Sequence, residues 1–175
     1  MLPVPRIVIF TGDGKGKTTA AVGMAVRAIG HGMRVRIIQF VKNDPTTGEL
    51  PALRRFENVE VTQAGLGFVP PPDDPQFPQH QQAAHEGLKL AAEAVSCGHW
   101  NLVILDEICF AVSAGLVTEP PVINLLQQTS RYLCIVLTGR QATPGLIDLA
   151  DTVTEMRCIK HAMDTGREAQ NGVER

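Results

Sequence analysis

The sequence predicts an α/β domain in which helices cover both faces of a mostly parallel β-sheet, giving three layers. Short apolar runs alternate with segments of helical periodicity along the 175 residues. The runs contain few polar residues, which is typical of strands that are buried on both faces. One run ends at a glycine-rich turn and another ends at two acidic residues. Because ligands bind at the carboxyl ends of parallel strands, these two places are the first candidates for a site.

The predicted elements account for most of the chain, and its length fits one domain over residues 1–175. Residues 65–78 contain five prolines and are predicted to form a loop, and the residues after 159 are predicted to be irregular. The order of the strands in the sheet does not follow from these patterns. The predicted strands are 6–11, 34–41, 59–64, 101–108, 132–139 and 152–159, and the predicted helices are 17–30, 80–98, 122–129 and 145–151.

Composition excludes several classes of protein. A net charge of −2 and a pI of about 6.2 argue against the overall basic field that nucleic-acid binding needs, so no nucleic-acid partner is expected. No apolar run is long enough to cross a membrane, and the first ten residues do not resemble a signal peptide. The four cysteines form no C-x-x-C pair and the five histidines show no metal-binding spacing. We therefore expect free thiols and a cytoplasmic protein.

The stretch TGDGKGKTT, residues 11–19, has the composition of a phosphate-binding loop but is one residue short. Three residues separate Gly12 from Gly16, whereas the usual pattern has four. The stretch follows a predicted strand and opens a predicted helix, which is the context that lets backbone N–H groups converge on an anion. In such a loop Lys17 would reach terminal phosphate oxygens and the hydroxyl of Thr18 would face Mg²⁺. The alternative is a glycine-rich surface turn before a capped helix.

Asp106 and Glu107 follow the buried strand LVIL and are predicted to face the same crevice. Asp106 is a candidate for holding a metal through water, and Glu107 for binding the metal or acting as a base. Thr138 and Arg140 after a later strand either join this crevice or form a plain turn. No guanine-reading N-K-x-D is present, which favours ATP. These residues predict a nucleotide-using domain and leave hydrolysis, phosphoryl transfer and other reactions open.

The chain as a whole resembles the P-loop type of ATP:corrinoid adenosyltransferase. The resemblance runs from about residue 6 to residue 173, and its most specific pieces are TGDGKGKTTA, RAIGHG, LADTVTEM and KHAMDTGREAQ. That family shares the shortened loop, so the resemblance implies a RecA-like P-loop fold. It also implies that a cob(I)alamin, cob(I)yrinic acid a,c-diamide or similar Co(I) corrinoid attacks the 5′ carbon of ATP and that triphosphate leaves. A homodimer, a flavoprotein reductase as partner and Mg²⁺ or Mn²⁺ are further implications.

The resemblance also implies roles for individual residues. Glu107 would belong to the metal site together with Thr18, with Asp106 behind it. Lys17, Glu107 and Phe68 would be the catalytic residues. Nucleotide binding would involve the loop and an arginine on the first helix: Gly12, Asp13, Gly14, Lys15, Gly16, Lys17, Thr18, Thr19 and Arg27. From its place on the helix alone, Arg27 is expected to be a surface residue.

Two features depart from the family's pattern. Only five residues precede the first predicted strand, and the stretch GFVP has Pro70 where the family commonly has tryptophan. Phe68 remains, and it either contacts the corrinoid or only anchors its loop. The departure leads us to expect weak assistance with cobalamin that carries a bulky lower ligand. Two other functions stay open at this stage: an ATPase or small-molecule kinase, and a nucleotide-dependent binding protein without transferase chemistry.

Overall fold

A computed structural model describes residues 5–173. Within that range, six strands form one sheet in the order β3-β2-β4-β5-β1-β6, and all neighbouring strands are parallel. The predicted α/β class is confirmed. The strands are β1 (Arg6–Thr11), β2 (Val35–Gln39), β3 (Val59–Gln63), β4 (Leu102–Asp106), β5 (Cys134–Thr138) and β6 (Thr152–Glu155). The helices are α1 (Lys17–Gly30), α2 (Glu49–Leu53), α3 (Phe77–Ser96), α4 (Ile108–Ser113), α5 (Glu119–Gln127) and α6 (Pro144–Leu149).

Side chains on each central strand alternate between two cores. On β1, Ile7 and Ile9 belong to the larger core, which lies beneath α3, α4, α5 and α6. Val8 and Phe10 pack against the smaller core, whose helical side is formed mainly by α1. This alternation follows from the period of two along a strand, and it explains why the strands are apolar almost throughout.

Several predicted boundaries were wrong. Helix α3 begins at Phe77, three residues before the predicted start, because Pro78 is compatible with the first turn of a helix. Helices α2 and α4 were not predicted, since five or six residues give no clear periodicity. Strand β4 ends at Asp106 and strand β6 ends at Glu155, both earlier than expected. In the tail, a single 3₁₀ turn forms at Ala162–Thr165.

Because all strands run the same way, their carboxyl ends meet at one edge of the sheet. Thr11, Gln39, Asp106 and Thr138 are the last residues of four of these strands. Strand β5 lies between β1 and β4, so the end of β5 separates the glycine-rich loop from the acidic pair. None of the helices formed by residues 5–173 is long and apolar enough to cross a membrane.

Candidate active site

The glycine-rich loop connects β1 to α1 and is closed by its own lysine. Gly12 and Gly16 have φ values of 93° and 115°, which side chains disfavour, so glycine is needed at both turns. The Nζ of Lys17 donates hydrogen bonds to the carbonyl oxygens of Gly12 at 2.8 Å and Gly14 at 2.7 Å. Burial lowers the pKa of Lys17, and nearby Arg140 acts in the same direction. The sequence prediction of a strand, a loop and a helix is confirmed here.

The end of β6 holds the loop from outside. The N–H of Met156 donates to the carbonyl of Thr11 at 2.8 Å, and the N–H of Gly14 donates to the carbonyl of Met156 at 2.7 Å. A Cβ placed on Gly14 would lie 2.7 Å from that carbonyl oxygen and 2.8 Å from the backbone of Arg157. Sheet pairing therefore continues to Thr11, the last residue of β1, and one more hydrogen bond joins the end of β6 to the loop at Gly14. The loop that β6 approaches so closely is the one with three residues, instead of the usual four, between Gly12 and Gly16.

Asp106 is buried at the end of β4 and is fully surrounded by donors. Its Oδ1 accepts hydrogen bonds from the hydroxyls of Thr18 at 2.8 Å and Thr138 at 2.7 Å. Its Oδ2 accepts from Nε2 of Gln39 at 3.1 Å and lies 3.4 Å from the ammonium of Lys42. Because the hydroxyl of Thr18 donates its hydrogen bond to Asp106, the lone pairs of its oxygen remain available to another ligand. The carboxylate thus orients Thr18.

Glu107 caps α4 in a conformation that glutamate rarely adopts. Its φ is 65°, in the left-handed region, and its N–H donates to the hydroxyl of Thr138 at 2.9 Å. Burial raises the pKa of Glu107, and the neighbouring charge of Asp106 adds to the effect. Strained backbone of this kind costs roughly 1–3 kcal/mol and is concentrated at functional sites. The turn brings Glu107 into the same cleft as the loop.

Lys42 forms the opposite wall, and no sequence motif marks it. Its Nζ lies 2.9 Å from Oε1 of Glu49 at the start of α2, in addition to the contact with Asp106. Burial works to lower the pKa of Lys42, but the carboxylates of Asp106 and Glu49 outweigh it and the pKa is raised. The same ion pair lowers the pKa of Glu49 despite its burial. Lys42 therefore remains a cation beside the acidic pair.

These elements enclose a cleft of about 540 Å³, a volume that suits a nucleotide-sized ligand. The loop and the start of α1 supply one side, and the segment after β2 supplies the other. The last described residues of the chain reach its mouth. The lining residues are Lys15, Gly16, Lys17, Thr18, Thr19, Val22, Lys42, Thr47, Gly48, Glu49, Glu107, Gly172 and Val173.

Comparison with known proteins places the chain in a family. The family model described as ATP:corrinoid adenosyltransferase BtuR/CobO/CobP matches residues 4–175. The chain belongs to this family. It is 40% identical to a corrinoid adenosyltransferase of Pseudomonas aeruginosa over 169 residues, covering 96% of this chain and 82% of the relative. Corrinoid adenosyltransferases of Escherichia coli K12 and Salmonella typhimurium are each 36% identical, over 96% of this chain and 84% of each relative. The protein is thus an enzyme that transfers the adenosyl group of ATP to a corrinoid.

In this adenosyltransferase, most of the residues predicted to bind the nucleotide line the cleft, and a few do not. Lys15, Gly16, Lys17, Thr18 and Thr19 line the cleft. The carbonyl oxygens of Gly12 and Gly14 accept hydrogen bonds from Lys17. Asp13 is exposed, and its charge acts to raise the pKa of Lys17.

Arg27 is exposed in the last turn of α1. It lies about 15 Å along the helix axis from Lys17. It is not among the described residues that line the cleft. Its contact with nucleotide stays a prediction.

Phe68 lies in the loop after β3 and packs against almost nothing. Its side chain is 91% exposed. The loop itself is fixed by other groups, because the N–H of Gly67 donates to the carbonyl of Val41 at 2.7 Å and Nδ2 of Asn43 donates to the carbonyl of Leu66 at 2.8 Å. Phe68 therefore does not anchor its loop. It is presented to solvent beside the segment that carries Lys42.

The cleft also offers oxygen atoms suited to a divalent cation. Hard cations such as Mg²⁺ prefer carboxylate and hydroxyl oxygens and commonly share their ligands with substrate phosphates. Thr18 has free lone pairs and Glu107 lines the cleft. Asp106 is saturated by protein donors, so in this arrangement it supports Thr18 from behind. Residues 5–173 contain no group of three or more His, Cys, Asp or Glu side chains that would hold a metal without the substrate.

Proposed function

We propose that the enzyme transfers the 5′-deoxyadenosyl group of ATP to the cobalt of a Co(I) corrinoid and releases all three phosphates as inorganic triphosphate. The observation that carries the proposal is the position of Lys17. Lys17 is the first residue of α1 and directly follows the short glycine-rich loop. It lines the cleft together with Thr18 and Glu107, in a chain that belongs to this family. That arrangement suits binding of a nucleotide's phosphate chain.

The proposed step is a substitution at carbon. The electron pair of Co(I) forms a cobalt–carbon bond at C5′, and the bond from C5′ to the oxygen of the α-phosphate breaks. Its electron pair leaves with the triphosphate, so negative charge grows on the leaving group. The residues of the site serve this step by neutralising that charge and by holding C5′ toward the corrinoid. Lys17 and the backbone of Gly16 are the groups of the loop placed for the first task.

Thr18 and Glu107 are the residues that would hold Mg²⁺ or Mn²⁺, with Asp106 orienting Thr18. Such an ion supplies further neutralisation of the triphosphate. The hydrogen bond from Thr18 to Asp106 supports this assignment, because it directs the proton of the hydroxyl away from the cleft.

Phe68 is proposed to contact the corrinoid. Its exposed ring gives an apolar surface that keeps donor ligands from one face of the cobalt and thereby eases reduction of Co(II) to Co(I). A flavoprotein reductase is the proposed electron donor. We further propose that the chain forms a single domain, works as a homodimer in the cytoplasm, and uses Arg27 for the nucleotide.

Product analysis tests the proposal. The enzyme is incubated with ATP, magnesium and a chemically reduced corrinoid, and anion-exchange chromatography separates triphosphate from orthophosphate. We expect triphosphate in equal amount to the adenosylated corrinoid. A reaction that omits the corrinoid is the control and should release neither product. Orthophosphate as the first product would reject the proposed step and favour an ATPase or a kinase.

A further inference from the structure

Lys42 is a cation in the nucleotide cleft to which the proposed step assigns no task. It follows β2 and lines the cleft across from the loop. Its side chain is 28% exposed, more than that of Glu49 at 19%, and far more than that of Asp106 at 1%. The ammonium thus contacts two carboxylates, while part of the side chain remains open to the cleft.

The contacts of Lys42 leave it able to bind a further anion. An ammonium has three N–H donors. The carboxylate of Glu49 at 2.9 Å and that of Asp106 at 3.4 Å account for two of them among the described residues. Because Lys42 lines the cleft, the remaining donor is available to an oxygen atom of a ligand there.

Asp106 also couples Lys42 to the residue proposed to hold the metal. One oxygen of Asp106 accepts from Thr18, and the other lies beside Lys42. The two donors are therefore separated by a single carboxylate. Both residues also line the cleft, so one ligand there can meet the hydroxyl of Thr18 and the ammonium of Lys42.

We infer that Lys42 is a second lysine of the triphosphate site, which neutralises Asp106 and Glu49 and binds phosphate oxygens from the β2 side of the cleft. The inference rests on the proposed function, since it assigns a residue to the leaving group. It differs from a role as a structural tie, in which Lys42 would only fasten α2 to the sheet through Glu49.

Binding of inorganic triphosphate, measured by titration calorimetry on the full chain with magnesium chloride, separates the two roles. Lys42→Met should weaken binding about tenfold or more, because a charge-assisted contact is lost. Glu49→Gln removes the charge of the pair that ties Lys42 to α2 but keeps the ammonium, so it should bind triphosphate at least as tightly as the wild type. Lys89→Met removes an exposed lysine that is paired on α3 with Glu86, and should stay within about twofold of the wild type.

Two results would overturn the inference: wild-type affinity in Lys42→Met, or equal losses in Lys42→Met and Glu49→Gln. Thermal unfolding without ligand reports whether each variant is folded. If Lys42→Met is not, Lys42→Gln replaces it, since an amide still donates to the two carboxylates but carries no charge. Lys17→Ala distinguishes this failure from failure of the proposed function. Loss of binding in Lys17→Ala alone would reject only the role of Lys42, whereas no loss in either variant would also reject the phosphate loop.

Discussion

Substitution of Gly14 by alanine tests how β6 supports the glycine-rich loop. The added Cβ would lie 2.7 Å from the carbonyl oxygen of Met156 and 2.8 Å from the carbonyl group of Arg157. Both are backbone groups, so neither can rotate aside as a side chain would. Since ordinary contact begins near 3.4 Å, the loop and the end of β6 must separate by about 0.7 Å. The hydrogen bond from Gly14 to Met156 lengthens with them.

We expect Gly14→Ala to lower the free energy of unfolding by about 1–3 kcal/mol, the usual cost of overpacking. A displacement near 1 Å at a positioning element also reduces catalysis, here by about tenfold to a hundredfold in kcat/KM. Urea denaturation followed by circular dichroism measures the first effect without ligand, and adenosyl transfer to a Co(I) corrinoid measures the second.

The matched control is Gly23→Ala on the exposed side of α1. A Cβ at Gly23 meets nothing within 4 Å, so the same substitution should stabilise the enzyme by about 0.5–1 kcal/mol through helix propensity. Gly14→Ala with wild-type stability in the absence of nucleotide would refute the reasoning. It would mean that glycine is needed at this position only for approach to phosphate.

Two further predictions concern exposed and buried side chains. Phe68→Ala should change the free energy of unfolding by less than about 0.5 kcal/mol, because the ring is almost fully exposed. It should nevertheless slow the reductase-coupled reaction far more than the reaction with pre-formed Co(I). Equal losses in both assays would contradict a role at the cobalt. Burial raises the pKa of the Cys109 thiol to about 12 and that of the half-buried Cys134 to about 11. A disulfide reagent at neutral pH should therefore label the exposed Cys97 and Cys158 quickly, Cys134 more slowly, and Cys109 only after unfolding. Rapid labelling of Cys109 in the folded enzyme would contradict its burial.

The parts of the site that the sequence predicts are those with a local signal. Lys17 and Thr18 stand at the start of a periodic helix after an apolar strand, and Asp106 and Glu107 stand at the end of another. The rule that parallel strands end at one edge is enough to bring these residues together. For Thr138 the sequence leaves two possibilities, a place in the crevice or a plain turn. The structure puts β5 between β1 and β4, and Thr138 therefore lies in the site, where its hydroxyl donates to Asp106.

Other members of the site have no local signal. Lys42 contacts Asp106 only because β2 is the neighbour of β4, and strand order does not follow from apolar patterns. Glu49 is carried by a helix of five residues, too short to show periodicity. Met156 acts through its backbone, which no side-chain pattern records. For Lys42 the sequence offers a position and no motif: it directly follows the predicted strand 34–41, at the edge of the sheet where ligands bind.

The short loop and the lysines of the cleft belong to one arrangement. The N–H of Gly14 is bound to the carbonyl of Met156, so it does not point at a ligand in the cleft. A loop that gives an amide to its own sheet has fewer amides left for phosphate, and positive charge must then come from side chains. Lys15, Lys17 and Lys42 line the cleft and can supply it. Long side chains can follow a phosphate chain over its whole length, which suits a reaction whose leaving group is the entire triphosphate.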